Sequence, residues 1–256
     1  MSAALEWRRA LEAWSIPEEI LAQAPESPWI HPPVLFEVPD VIEDSPSHQR
    51  AREALSDGGS VLDVGCGGGV AAFALTPPAA LVIGVDHQGE MLEMFESNAR
   101  RRGADVETFL GNWPEIAGSV PSCEVVTAHQ VVYNVADIVP FLQELGRHAT
   151  RRVVIEMPQR HPLASLSSAW EYFWGLTRPT EPTPDRLLEV LAEIGVRASR
   201  EDFDGQLRSP GDPESAAHFD RIRLCLPASR ENDVLAFRRE NPQVPARPMS
   251  TIWWDV

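Results

Sequence analysis

A short apolar run that leads into a cluster of glycines constrains this chain more than any other feature. Val61–Val64 is typical of a buried strand, and glycines follow it at positions 65, 67, 68 and 69. Glycine suits such a turn because the backbone changes direction sharply and leaves no room for a Cβ. A helix is expected to follow, and its first N–H groups have no partner inside the helix. The segment therefore predicts a strand–turn–helix unit that holds a ligand against its backbone.

From Ser60 onward, apolar strand-like runs alternate with helix-like segments. Strands are predicted over 61–64, 81–85, 106–110, 124–128 and 152–156, and helices over about 68–75, 88–102, 114–117 and 137–147. Further on, helices are expected over 184–194 and 231–239, and strands over 196–203 and 219–226. Alternation of this kind predicts a doubly wound, mostly parallel sheet of seven strands with helices on both faces.

The chain is expected to divide near residue 45. Residues 1–45 read as a helical extension that ends in a proline-rich connector, and residues 46–256 read as the main domain. Within that domain, about 158–182 is interpreted as a lid-like helical segment after the fifth strand. It carries four aromatic side chains, Trp170, Tyr172, Phe173 and Trp174. These rings, together with Trp29 and His31 of the connector, either line a pocket or belong to the core.

The charge balance bears on the class of partner. Lys plus Arg total 22 against 38 Asp plus Glu, a formal net charge of −16, which argues against a polyanionic nucleic-acid partner. Three scattered cysteines form no CxxC pair, so we expect neither a metal site nor a disulfide framework, and a cytoplasmic location. No secretory signal or membrane-spanning run is present in the sequence, and no membrane partner is expected. The pattern does not indicate an oligomeric state.

A carboxylate is expected beside the glycine turn. Asp86 ends the second predicted strand, and ligands of such sheets bind at the carboxyl ends of the strands. Its side chain either accepts hydrogen bonds from ribose hydroxyls or caps the next helix. The same turn is weakly similar to that of nicotinamide-dependent enzymes. However, those enzymes have Gly or Ala where this chain has Val70.

These segments resemble the class I S-adenosylmethionine (SAM)-dependent methyltransferases over roughly residues 46–226. The stretch Val61–Gly69 is similar to the first motif of that family, and Gly84-Val85-Asp86 is similar to the second. The resemblance implies SAM as the cofactor and a set of residues around it. It places Asp63, Gly65 and Gly67 at the methionine part, Asp86 at the ribose, and Met91, Asn112 and Trp113 at the adenine. Met91 could equally be a core residue of its helix.

The end of the fourth strand is where the family presents the methyl group. The run from His129 to Asn134 lacks the Asn/Asp-Pro-Pro-aromatic pattern of enzymes that methylate base or glutamine amino groups, and it looks like the small-molecule branch. His129 is a candidate to contact the cofactor, to line the pocket or to act as a base, and Tyr133 is a second candidate catalytic residue. Methyl transfer is an in-line displacement, so alignment of the reactants can suffice without a base.

The sequence thus predicts transfer of a methyl group from SAM to an O, N or C nucleophile of a small molecule. Three alternatives remain open at this point. The first is the same chemistry on a protein or RNA, the second is a non-catalytic SAM-binding protein of the same fold, and the third is a nicotinamide-dependent oxidoreductase.

Overall fold

A single twisted sheet organises the protein, which we describe from a computed structural model that covers residues 2–29, 36–206, 212–242 and 246–256. The strands are β1 (Ser60–Val64), β2 (Leu81–Asp86), β3 (Asp105–Leu110), β4 (Cys123–His129), β5 (Ala149–Pro158), β6 (Ser199–Gln206) and β7 (Ala246–Asp255). Their order is β3-β2-β1-β4-β5-β7-β6. The strands β1 to β5 are parallel, and β7 runs antiparallel to both β5 and β6. The predicted seven-stranded, doubly wound sheet is confirmed.

Helices cover both faces of this sheet. They are α1 (Ala3–Glu12), α2 (Glu18–Leu21), α3 (Pro46–Arg52), α4 (Val70–Phe73), α5 (Gly89–Arg102), α6 (Ile138–His148), α7 (Ser167–Trp174), α8 (Pro184–Glu193), α9 (Pro213–Arg223) and α10 (Glu231–Glu240). Trp7 of α1, Phe141 of α6 and Leu187 of α8 pack on one face, around Leu62 and Ile83. The helices α3, α4 and α5 pack on the other face. Alternate residues of each strand therefore meet different helices, as expected of a sheet buried on both sides. None of the helices in the described residues is long and apolar enough to cross a membrane.

A second apolar cluster, which we call the helical cap, joins α2, α7, α9 and α10. Its buried members include Ile16, Ile20, Leu166, Trp170, Ala217, Leu224 and Val234. The predicted lid-like segment lies in this layer, and Trp170 is only 2% exposed whereas Tyr172 is 69% exposed. The indole Nε1 of Trp174 donates to the carbonyl of Leu224 at 2.7 Å. At least Trp170 is therefore a core residue.

The N-terminal helices belong to two different layers. The α1 helix lies in the main core through Trp7, while α2 lies in the helical cap. Arg178 ties the segment after α7 to the connection between them, because it donates to the carbonyls of Trp14 and Ser15. The boundary near residue 45 stays an expectation.

The strand predicted over 219–226 is wrong, because most of these residues lie in α9. Asp212 caps that helix by accepting from the backbone N–H of Ser215, and Pro213 occupies its first turn. Burial of Ala216, Ala217 and Phe219 follows the helical period. The seventh strand is instead β7, which contains Trp253 and Trp254.

Candidate active site

The glycine turn lies at the carboxyl end of β1, between β2 and β4. The N–H groups of Gly65 and Cys66 both donate to the carbonyl of Val85, at 2.8 and 3.0 Å. Gly65 and Gly67 adopt φ angles of 70° and 51°, which residues with a Cβ rarely adopt. A Cβ on Gly65 would lie 2.5 Å from Cγ2 of Val131. The turn is thus held close to its neighbours by the absence of side chains.

Asp86 positions this turn from the tip of β2. Its Oδ2 accepts from the N–H of Gly67 at 3.0 Å, and its Oδ1 accepts from the N–H of Gln88 at 3.0 Å, immediately before α5. The side chain is almost completely buried. Each carboxylate oxygen has about two acceptor sites, so a lone pair remains on each for a ligand hydroxyl. Asp86 therefore binds a backbone N–H at the start of α5, and its carboxylate can still accept hydrogen bonds from a ribose.

Asp63 presents an unpaired oxygen beside the same turn. The residue is 2% exposed, and its Oδ1 accepts from the Oγ1 of Thr127 at 2.9 Å. Its Oδ2 is buried and makes no hydrogen bond of good geometry to the described residues, although the backbone N–H of Ala72 lies near the carboxylate and acts to lower its pKa. Burial raises the pKa of the Asp63 carboxyl to about 7. A buried acceptor without a donor is unfavourable, so this oxygen points to a ligand that brings a donor or a positive charge.

The predicted adenine contacts lie next to the same edge of the sheet. Met91 is buried in the first turn of α5, and Asn112 is exposed two residues after β3 ends. Leu110, at the end of β3, leaves 64% of its surface exposed and was not foreseen from the sequence. An exposed apolar side chain at this edge is suitable for one face of a base.

The indole of Trp113 has less free surface for contact with an adenine than the sequence suggests. Its Nε1 donates to the carbonyl of Phe141 at 3.3 Å, and its ring makes an edge contact with the imidazole of His148 at 4.8 Å. The indole is thus packed against the core on one side, and only its remaining surface is available to a ligand. The adenine contacts of Met91, Asn112 and Trp113 stay predictions.

Two neutral imidazoles lie side by side at the tip of β4. His129 ends that strand, and its ring is 5.7 Å from the ring of His48 on α3, nearly parallel to it. Burial lowers the pKa of His129 to about 3. Burial and then the neighbouring His129 lower the pKa of His48 to about 4. The Nδ1 of His48 accepts from the N–H of Ser45, whereas the buried Nε2 of His129 has no partner among the described residues.

Tyr133 is held by its hydroxyl. That hydroxyl donates to the carbonyl of Pro158 at 2.6 Å, and the ring contacts His161 edge-on at 5.2 Å. Burial raises the pKa of the Tyr133 phenol above its usual range. A buried, neutral phenol that already donates its proton favours a role in the pocket wall over proton transfer, and the catalytic role stays a prediction.

Several neighbours of the site were missed by sequence reasoning. Glu156 pairs with His129 across β4 and β5, and its Oε2 accepts from the Oγ of Ser45 at 3.2 Å. Its place near the end of a central strand is the one signal that could have identified it. Phe36 lies directly on the glycine turn, since a Cβ on Gly68 would lie 2.1 Å from the Phe36 carbonyl oxygen.

Of the two connector residues predicted to close the pocket, Trp29 is among the described residues. Trp29 is 52% exposed, and His31 lies outside the described residues. Within the described ranges, no group of three or more His, Cys, Asp or Glu side chains could hold a metal ion.

A sheet of this order, with a glycine-rich turn after β1 and a carboxylate at the tip of β2, fits the methyltransferase fold that the sequence resemblance implies. Residues 61–151 match a family model described as a methyltransferase domain.

Curated relatives cover part of the chain. It is 32% identical over 117 residues to a ubiquinone biosynthesis O-methyltransferase of Azorhizobium caulinodans, over 46% of each chain. It is 33% identical over 96 residues to the cypemycin N-terminal methyltransferase of a Streptomyces species, over 36% of this chain and 38% of the relative. The matches thus span less than half the length of these relatives.

Solved structures show the same fold at low identity. The YcgJ protein of Bacillus subtilis is 18% identical with a TM-score of 0.55, over 82% of this chain and 97% of that one. A putative methyltransferase of Bacillus halodurans is 17% identical with a TM-score of 0.54, over 82% and 95%.

Proposed function

We propose that this protein transfers the methyl group of SAM to a small-molecule acceptor. The observation that carries the proposal is the unpaired, buried Oδ2 of Asp63 beside the glycine turn that Asp86 holds. A ligand for this place needs a positive group or a donor near Asp63 and hydroxyl groups near Asp86. The ammonium of the methionine part and the ribose of SAM supply these groups.

The residues of the site fit this cofactor in two ways. The backbone at Gly65 and Gly67 is open to close approach, since neither residue carries a Cβ. Asp86 has lone pairs left after its two backbone contacts. When bound, SAM supplies a methyl group on a positively charged sulfur. The protein orients the partners and excludes water around them, and such alignment accounts for much of the rate of a displacement.

His129 has a specific part in this proposal. Its imidazole is neutral because burial opposes protonation, and its Nε2 faces no described partner. A neutral ring in that position orients the acceptor or the cofactor by a hydrogen bond. The low pKa makes His129 a weak base, so it guides the nucleophile more readily than it removes its proton.

A small-molecule acceptor is supported by two observations. The net charge of −16 disfavours nucleic acid, and one curated relative is an O-methyltransferase of ubiquinone biosynthesis. Among the described residues, the cysteines Cys66, Cys123 and Cys225 are all free and buried, which supports a reducing, cytoplasmic setting.

Calorimetry tests the cofactor. SAM and S-adenosylhomocysteine are expected to bind in the micromolar range, and NAD is not. Asp86→Ala is expected to weaken binding by about 1.5–3 kcal/mol, because charge-assisted hydrogen bonds to the ribose are lost. Asp57→Ala, an exposed substitution of the same kind, serves as the control. Tighter binding of NAD than of SAM would contradict the proposal.

The pH dependence of cofactor binding tests Asp63. The raised pKa of about 7 means that the free protein holds a proton on this carboxyl below that pH. Binding of an ammonium favours the ionised form, so the affinity for S-adenosylhomocysteine is expected to fall by about tenfold per pH unit below 7. The effect of Asp63 on the stability of the ligand-free protein has the opposite sign. Because its pKa is raised in the folded state, folding favours the protonated carboxyl, and the free energy of unfolding falls as the pH rises from about 4 to 7.

Titration calorimetry from pH 5.5 to 8.5 measures this dependence. Asp63→Asn is expected to bind weakly and to lose the slope, since asparagine does not titrate. An equally steep slope in Asp63→Asn would show that another group is responsible.

A further inference from the structure

Arg247 is a half-buried cation at the edge of the candidate active site. It lies in the first residues of β7, two positions before Met249, which pairs with Pro158 at the end of β5. Its Nη1 donates to the Oε1 of Gln130 at 3.2 Å. Within the described parts of the chain, no carboxylate lies within salt-bridge distance of this guanidinium, although other half-buried arginines form such pairs.

Burial lowers the pKa of Arg247, and the nearby Tyr133 and Glu156 act in the opposite direction. A guanidinium stays charged at any physiological pH. A partly desolvated cation without a close counter-ion reduces stability unless a ligand provides one.

Gln130 has an unusual backbone conformation at the same place. It follows directly after His129 and has a φ of 61°, a left-handed conformation that is uncommon outside glycine. Its N–H donates to the carbonyl of Glu156 at 2.6 Å, which fixes this conformation at the tip of β4. Strained residues of this kind concentrate at ligand sites. Because Oε1 of Gln130 accepts from Arg247, its amide NH₂ remains as a further donor.

These two side chains stand where an acceptor must approach. Gln130 is adjacent to His129, and β4 lies next to β1, whose tip carries Asp63. Arg247 approaches the same edge from β7 on the side of β5. In a protein with a net charge of −16, a negatively charged molecule reaches this edge only if a local cation attracts it.

We infer that Arg247 and Gln130 form a subsite for a carboxylate group of the methyl acceptor. The inference rests on the proposed function, since it assigns a chemical class to the acceptor of that reaction. A planar guanidinium matches a planar carboxylate in charge and shape, and the amide of Gln130 adds a donor beside it. The negative charge of Glu156, which acts on Arg247, makes a singly charged carboxylate more suitable here than a doubly charged phosphate.

Binding of paired probes tests the subsite. A panel of small carboxylic acids, from acetate and phenylacetate to indoleacetate, is titrated against the full chain together with the primary amide of each acid. The titrations are followed by NMR, with and without saturating S-adenosylhomocysteine. In the unchanged protein, at least one acid is expected to bind about tenfold more tightly than its amide. Arg247→Met is expected to abolish this preference.

Two further variants separate charge from geometry. Arg247→Lys keeps the charge but lacks the planar fork, so we expect an intermediate preference. Gln130→Asn tolerates the left-handed backbone but shortens the side chain, so we expect a loss of a few-fold. Arg239→Met removes an exposed charge from α10 and is expected to change nothing. Melting temperatures identify any variant that does not fold. If Arg247→Met does not fold, the preference of Gln130→Asn for acid over amide tests the subsite instead.

The possible failures are distinguishable. The inference is overturned if no acid binds better than its amide, or if the preference survives in Arg247→Met. It is also overturned if Arg247→Met loses affinity for S-adenosylhomocysteine by tenfold or more, because Arg247 would then hold the carboxylate of the cofactor. Failure of the unchanged protein to bind S-adenosylhomocysteine contradicts the proposed function instead, and the titrations without it still test the subsite.

Discussion

Gly67→Val is expected to abolish detectable binding of S-adenosylhomocysteine while the far-UV circular dichroism stays close to that of the unchanged protein. Gly67 has a φ of 51°, where a β-branched residue is disfavoured by about 1–2 kcal/mol. A new Cβ would lie 3.2 Å from the ring of Phe36, and the larger side chain would occupy the space above the turn. The N–H that donates to Asp86 would also shift.

Calorimetry and circular dichroism on the same preparation measure this effect. Gly118→Ala is the matched control, because Gly118 is exposed and an added Cβ there meets nothing within 4 Å. Normal binding by Gly67→Val would show that the glycine turn is not the cofactor site.

Trp170→Ala is expected to lower the free energy of unfolding by about 3–5 kcal/mol, the usual range for removing a buried large aromatic side chain. Trp170 is 2% exposed within the helical cap, and the guanidinium of Arg178 lies 5.3 Å from its ring centroid. Tyr172→Ala, two residues further along α7, is the control. Since Tyr172 is 69% exposed, its truncation is expected to change stability by less than about 1 kcal/mol.

Urea denaturation measures both variants, and turnover at low temperature tests whether the helical cap also serves as a lid. If it does, Tyr172→Ala reduces turnover without changing the affinity for S-adenosylhomocysteine, because we propose that this ligand rests on the glycine turn and Asp86. If activity follows only the folded fraction in both variants, the cap stabilises the fold and does not cover the acceptor.

Local patterns were sufficient to predict the parallel part of the sheet. The strands β1, β2 and β4 and the second half of β5 are mostly buried on both faces, so each forms an apolar run that differs from the amphipathic helices beside it. The edge strand β3 is exposed or half-buried along its length and was predicted from its position in the alternation. The backbone roles of Gly65, Gly67 and Asp86 were indicated by their positions directly after or at the end of an apolar strand, although the contact between Gly67 and Asp86 joins two different strands.

The helical cap and the last two strands were harder to predict. The alternation of Arg221 and Arg223 with Ile222 and Leu224 resembles a strand with one polar face, but Asp212 caps the N-terminus of a helix that contains most of this segment. In β7, the burial of Met249 and Trp254 follows from pairing with β5 and β6, which are far away in the sequence.

The rest of the candidate site depends on such distant pairings. His48 meets His129 only because α3 packs beside β5, and Phe36 reaches the glycine turn from a connector. Arg247 lies beside Gln130 only because β7 runs antiparallel to β5. The residue pattern within a single segment does not show which distant segments pack against it. These residues could therefore not be identified from the sequence alone.

The pairing of β7 between β5 and β6 also has a consequence for the order of assembly. In the described structure, β6 joins the sheet only through β7, although it is synthesised first. During translation, the glycine turn and the parallel strands can form while β6 still lacks its partner. A growing chain would thus form the glycine turn and the parallel strands before the edge that carries Arg247, so the proposed cofactor would meet a nascent domain whose sheet is still open on one side.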